Sequence, residues 1–209
     1  MERDIDVVVV PTGTANIASV LAGLRRVGTL PRVSADPETV EHSKLLVLPG
    51  VGTLSAAMER LQAARLIDPL NRRFAAGRAT LAVCLGLQML CESSEESPGL
   101  SGLGVIPGNI TRFAEGLTIP QIGWNEIVPV DECDLLERGY AYFANSYRLA
   151  DAPSGWAAAV SDYGGGFVAA MERENLLACQ FHPELSGQFG LELIRRWVSK
   201  GTKERRQPC

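Results

Sequence analysis

The sequence predicts an α/β fold: a mostly parallel central sheet flanked by helices, with an antiparallel or mixed portion added. Three observations carry that prediction. Short apolar runs alternate with helical patterns over roughly the first 95 residues, the mark of βαβ units. The leading run "IDVVVV" is continuously apolar and β-branched, which suits a strand covered on both faces. The second half then changes to strand-like segments joined by turns, closed by one amphipathic helix.

In chain order, "IDVVVV" gives the first strand and "PTGTAN" a turn, with Asn16 placed to cap a helix from Ile17 to Val27. Ile17, Val20, Leu21, Leu24 and Val27 fall on one stripe of that helix. "LPRVS" and "LLVLP" read as two further short strands, and Asp36-Pro37-Glu38 between them starts a short helix. Gly52 leads into an amphipathic helical region reaching Gly77, punctuated at Asp68-Pro69. Thr80 to Val83 is a buried strand, and Leu85 to Cys91 the first turns of a helix. "GNITRF", "PQIGWNEIVPV", "AYFANSY", "GWAAAVS", "FVAAMERE" and "LLACQF" then read as strands. "GQFGLELIRRWVSK" is the closing helix, with Phe189, Leu193, Ile194 and Trp197 on one face, followed by a frayed tail. No linker or repeat interrupts the pattern, so residues 1–209 are expected to form a single domain.

Composition narrows the function. Twenty Lys and Arg against 24 Asp and Glu give a formal charge of -4, which argues against nucleic acid as a partner. The uncharged run from Val7 to Leu24 is broken by Pro11, Gly13 and Asn16, so it fits strand, turn and helix rather than a membrane span. Glu2, Asp4 and Asp6 are the opposite of a basic leader, and a cytoplasmic protein is expected. Five cysteines (Cys84, Cys91, Cys133, Cys179 and Cys209) show no paired spacing, so neither a disulfide framework nor a zinc site is expected. Cys179 and His182 stand at Cys-x-x-His spacing with no second such pair, and Cys179 fits a buried structural thiol better than a metal ligand.

The chemistry gathers at "TLAVCLGLQML", where a strand ends on Cys84 and a helix starts at once. A residue there projects from the sheet edge among the unpaired N–H groups of the helix's first turn. Those donors favour a thiolate. Gly86 lets the turn pack closely. Cys84 reads equally well as a small apolar residue ending a strand. A nucleophile needs a proton shuttle, and the chain has two histidines. His42 lies in a charged stretch. His182, in "CQFHPE", follows a buried strand and has Glu184 two residues on, the residue types of a base and its orienting carboxylate. A core histidine satisfied by backbone is the alternative. "PGVGT" could turn backbone N–H groups into a crevice as oxyanion donors, although ordinary strand–helix turns use glycine too.

"PGVG", "VCLGLQ" and "FHPE", in this order and at these separations, together resemble the class I (triad) glutamine amidotransferases over nearly the whole chain. The resemblance implies a flavodoxin-like sheet, Cys84 as nucleophile toward the side-chain amide of L-glutamine, and no cofactor or metal. It implies His182 as acid and base, oriented by Glu184. Leu85 becomes an oxyanion donor together with the loop of Gly50, Val51 and Gly52. Gln88, Glu96, Ser146 and Tyr147 match positions that hold glutamine. Without the resemblance, Glu96 reads as one more charge on a solvated helix end.

Within the class, "PGVGT", "TGTANIASV", "IPGNITRF", "GWNEI" and "YFANSY" are most similar to the glutaminase subunit of imidazole glycerol phosphate synthase, in histidine biosynthesis. That implies a (β/α)8-barrel cyclase as partner, which takes ammonia through a sealed interface and controls turnover by allosteric coupling. Pro11, Asn16, Trp124, Asn125 and Leu185 are placed toward that partner, and Trp124 reads equally as a half-buried strand aromatic. The chain departs from the commonest form at five positions. Pro11 stands for Asp, Ala82 for Gly, Gln121 and Asn145 for histidines, and Leu185 for a basic residue. Three rivals stay open: the glutaminase of another synthase, whose Gly-Gly-Glu-Ser loop is absent; a free-standing cysteine hydrolase; and a non-catalytic regulatory subunit.

Overall fold

The valine run forms β1 (Ile5–Val9), and its alternation assigns two layers at once. Val7 and Val9 face one helical layer and Val8 and Val10 the other, all fully buried. The computed structural model that shows this describes residues 5–13 and 16–203. Glu2, Asp4, Thr14, Ala15, Cys209 and the tail from residue 204 lie outside the described residues.

After β1 come α1 (Ile17–Arg26), β2 (Thr29–Val33), α2 (Pro37–His42), β3 (Leu45–Gly50), α3 (Leu54–Ala63), α4 (Ile67–Ala75), β4 (Thr80–Cys84) and α5 (Leu85–Leu90). Then follow β5 (Cys91–Ser94), β6 (Ile106–Arg112), β7 (Gln121–Pro129), β8 (Gly139–Asn145), β9 (Tyr147–Leu149), β10 (Ala157–Asp162), β11 (Gly166–Arg173), β12 (Leu176–Cys179) and α6 (Gly187–Thr202). A nine-stranded sheet runs in the order β2-β1-β3-β4-β12-β11-β10-β7-β8. Pairing is parallel from β2 to β12 and antiparallel from β12 to β8. The expected parallel sheet with an antiparallel addition is therefore what forms.

Val20 and Leu24 of α1 and Leu193, Ile194 and Trp197 of α6 cover one face. Leu54 and Leu61 of α3, Leu70 of α4 and Leu85 of α5 cover the other. Arg73, on the inner side of α4, is fully buried, and no carboxylate among the described residues pairs with it. Its guanidinium donates to Val40 O at 3.1 Å, Ser43 O at 2.7 Å and Thr80 Oγ1 at 2.9 Å, tying α2 and α4 to the start of β4.

Four expectations need correction. The helical region from Gly52 to Gly77 is two helices, and the break falls at Arg65, in the left-handed region at φ 56°, not at Asp68-Pro69. Pro69 sits in the first turn of α4, where its missing N–H had no helical partner to lose. The helix after Cys84 stops at Leu90, because Cys91–Ser94 pairs with β6 as a strand. "AYFANSY" is not one strand: it breaks at Ser146, with β8 in the large sheet and β9 in a second sheet ordered β5-β6-β9. The closing helix runs on to Thr202, two residues into the stretch expected to fray.

Candidate active site

β3 and β4 lie side by side in parallel, with Gly50 opposite Cys84. At Cys84 the chain turns at φ 54°, ψ -110°, a conformation that costs a non-glycine residue about 1–3 kcal/mol, and enters α5 directly. Gly86 makes the turn possible: a Cβ there would lie 2.0 Å from Leu48 O. Gly50 is crowded in the same way, its absent Cβ 2.9 Å from the Leu85 Cβ. The Cys84 side chain is thereby held at the carboxyl ends of the parallel strands.

β12 lies on the other side of β4, with Cys179 opposite Val83, so the residues following it emerge beside Cys84. His182 is anchored by its N–H to Tyr142 O at 2.9 Å, and its ring Nδ1 lies 2.9 Å from Glu184 Oε1. Both side chains are buried. Burial alone would push the His182 pKa down. Hydrogen bonds to Cys84 and Glu184, then their negative charges, outweigh it and carry the pKa up to about 10. Glu184 has room because α1 presents Gly23, whose Cβ would sit 3.0 Å from the Glu184 Cβ. The three groups that "VCLGLQ" and "FHPE" named are thus brought together.

A cavity of about 190 Å³ opens over Cys84, lined by Val51, Gly52, Leu85, Gln88, Glu96, Ser146 and Tyr147 among others. Every residue expected to hold glutamine or its oxyanion borders it except Gly50, which lies behind Leu85. Gly52 has φ 90°, so the loop needs glycine there. Glu96 is not on a helix end: it follows β5, and its Oε2 accepts from Leu54 N at 2.8 Å, at the start of α3. Asn145 and Gln121 face each other across β7 and β8, both buried, each with its amide oxygen unpartnered.

The residues expected near a partner divide. Asn16 caps α1 by accepting from Ser19 N at 3.3 Å, as its place before the helix suggested. Asn125 donates to Asp162 O at 2.6 Å, and Pro11 is half-buried. Trp124 is 56% and Leu185 39% exposed. Beside them Ile122 and Tyr140, which the sequence did not single out, are 66% and 58% exposed. Strand alternation puts Ile122, Trp124 and Tyr140 on the outer face of β7 and β8, while Ile127, Ala141 and Phe143 go to the core.

His42 is half exposed, its ring beside Glu41, and does not border the cavity. Cys179 is fully buried, and its thiol is pushed well above the ordinary range by burial. Among the described residues no group of three or more His, Cys, Asp and Glu side chains could hold a metal ion. No described helix is long and apolar enough to cross a membrane. Gln180 was also missed: it is fully buried, and its Nε2 lies 3.7 Å from Cys84 Sγ.

Residues 8–200 match the family model for glutamine amidotransferase class-I. The chain is 38% identical over 195 residues to the imidazole glycerol phosphate synthase subunit HisH of Methanothermobacter thermautotrophicus, covering 92% of this chain and 97% of that one. To the protein of the same name from Escherichia coli K12 it is 38% identical, covering 92% and 98%. To that from Thermococcus kodakarensis it is 41% identical, covering 91% and 98%. Among solved structures, one described as a glutamine amidotransferase superposes with TM-score 0.76 at 20% identity, covering 93% of this chain and 98% of that one. PurLQS from Thermotoga maritima superposes at 0.72 with 14% identity, covering 94% and 99%. At such identities these superpositions show the fold alone.

Proposed function

The chain belongs to the class-I glutamine amidotransferase family, and on that premise we propose that it is the glutaminase subunit of an imidazole glycerol phosphate synthase. It hydrolyses glutamine to glutamate and ammonia through Cys84, His182 and Glu184, and residues 1–209 act as one unit. The observation that carries this reading is the His182–Glu184 pair at 2.9 Å beside a cysteine held at positive φ over a cavity.

The chemistry follows from the charge state. With its pKa raised to about 10, His182 is an imidazolium at neutral pH, stabilised by Cys84 and Glu184. The Cys84 sulfur attacks the carboxamide carbon of glutamine, and the Leu85 N–H, with the Gly50–Gly52 loop, receives the developing oxyanion. His182 gives its proton to the departing nitrogen, so neutral ammonia leaves and a γ-glutamyl thioester remains. Water then attacks the thioester carbonyl, His182 takes its proton, and glutamate departs as the thiolate reforms. Glu184 holds the imidazole throughout. Gln88, Glu96, Ser146 and Tyr147 hold the substrate in the cavity.

Only unprotonated ammonia is a nucleophile, so a sealed route to the cyclase has a chemical purpose. The outer face of β7 and β8, with Ile122, Trp124 and Tyr140, and the neighbouring Leu185 supply an apolar surface on which a (β/α)8-barrel cyclase docks. The decisive assay is glutamate release by the purified chain alone, with the cyclase, and with cyclase plus its ribotide ligand, using Cys84→Ala as blank. Release that is faint alone, rises with ligand-bound cyclase and vanishes in the variant is expected. Full release without partner would mean a free-standing hydrolase, and none under any condition a scaffold.

A further inference from the structure

Beneath the cavity, three side-chain amides and one backbone carbonyl form a continuous chain that ends on the nucleophile. Asn145 Nδ2 lies 3.0 Å and Gln88 Nε2 3.3 Å from Tyr147 O. Gln88 Nε2 is also 3.0 Å from Gln180 Oε1, and Gln180 Nε2 is 3.7 Å from Cys84 Sγ. Gln88, Asn145 and Gln180 are all buried, and the Gln180 backbone is pinned by its N–H to Ala169 O at 2.8 Å.

The polarity of this chain is fixed by chemistry. A backbone carbonyl only accepts, so whatever Gln88 presents to Tyr147 O must be its NH2 group. The same NH2 faces Gln180, so Gln180 must answer with its oxygen. That leaves the Gln180 NH2 group toward sulfur. One carbonyl at the break between β8 and β9 therefore decides that the nucleophile meets a donor and not an acceptor. A second consequence concerns Gln88. Both its N–H bonds are taken, so its Oε1 is the free atom, an acceptor for an N–H group of the substrate.

We infer that Gln180 is a positioning residue of the glutaminase site, holding a hydrogen-bond donor on the Cys84 thiolate and fixing Gln88 as an acceptor, with the Tyr147 carbonyl setting the direction of the whole relay. The inference rests on the reading of Cys84 as the nucleophile. A donor to sulfur favours thiolate over thiol, because a hydrogen bond to a charged acceptor is about twice as strong as a neutral one. At 3.7 Å the bond belongs at the weak end of its kind, worth on the order of tenfold in the reactivity of the sulfur where thiol and thiolate compete.

The test is alkylation by iodoacetamide as a function of pH, read at Cys84 by peptide mapping, which needs neither glutamine nor the cyclase. Among the described residues the competing thiols are quiet: burial pushes Cys91 up to about 12 and Cys179 well above the ordinary range, and burial with nearby carboxylates pushes Cys133 up to about 11; peptide mapping separates Cys209 from Cys84. Gln180→Met keeps the length and apolar stem but cannot donate. On the acid limb of the profile, where thiol and thiolate compete, its alkylation should fall on the order of tenfold, the profile moving to higher pH. Gln88→Met does not touch sulfur, yet it frees Gln180 to turn its oxygen inward, so it should shift the profile in the same direction by a smaller amount. It also keeps the test alive if Gln180→Met fails to fold. An unchanged profile in Gln180→Met, or a shift there with none in Gln88→Met, would overturn the relay. Wild-type Cys84 reacting no faster than Cys133 would instead sink the nucleophile itself, so the two failures are distinguishable.

Discussion

Replacing Gly86 by alanine tests the geometry of the nucleophile turn with a single methyl group. The added Cβ would sit 2.0 Å from Leu48 O, a backbone atom of β3 that cannot swing away as a side chain could. Ordinary carbon–oxygen contacts lie beyond about 3 Å, so α5 must retreat from β3 by roughly 1 Å. Overpacking of this kind costs about 1–3 kcal/mol. In a chain of 209 residues that corresponds to a fall in Tm of roughly 2–12 °C. Activity should suffer more than stability, because α5 carries Leu85 and Gln88, and a displacement of about 1 Å at a reacting centre is worth on the order of 100-fold. Thermal unfolding by circular dichroism and cyclase-activated glutamate release measure the two effects. Gly166→Ala is the control, since a Cβ there meets nothing within 4 Å and its φ is ordinary. If Gly86→Ala unfolds and turns over like Gly166→Ala, the close approach of α5 to β3 is wrong.

Glu184→Gln should lower kcat by about 10²–10⁴-fold, as loss of a carboxylate that holds a catalytic imidazole does elsewhere. The sign of its pH effect is fixed too: Glu184 raises the His182 pKa, so its loss should move the alkaline limb of the pH–rate profile to lower pH. The raised pKa also makes His182 a stabilising group below the ordinary value of 6.5, its contribution fading as pH climbs through about 10. Wild-type urea midpoints should therefore decline over that window, and less steeply in Glu184→Gln. Arg73→Met would strand the carbonyls of Val40 and Ser43 and should cost about 3 kcal/mol, read by urea unfolding. Trp124→Ala should weaken cyclase binding by about 2 kcal/mol in a calorimetric titration while leaving Tm nearly unchanged, since the ring is 56% exposed.

The centre of the parallel half was legible because β3, β4 and Val7 to Val9 of β1 are buried on both faces, which leaves unbroken runs such as "IDVVVV" and "LLVLP". Cys84 was legible because a strand and a helix meet there with no loop between them, and His182 because so few histidines compete for the role. What stayed hidden depends on distant contacts. "CESSEE" looks solvated, and only pairing with β6 makes Cys91–Ser94 a strand and sets Glu96 against α3. Ser146 splits one apparent strand between two sheets, a decision made by partners far along the chain. Gly23 drew no attention in the sequence, because what it makes room for, Glu184, lies far along the chain. Gln180 carries no local signal either, since its significance lies in Tyr147, Gln88 and Cys84 meeting around it.

The most direct test of the central claim is to quench wild-type turnover in acid and map the acylated residue by mass spectrometry. The account predicts a γ-glutamyl adduct on the peptide bearing Cys84, present with ligand-bound cyclase and absent in Cys84→Ala. Turnover that leaves no adduct on Cys84, or one that maps to another residue, would contradict it.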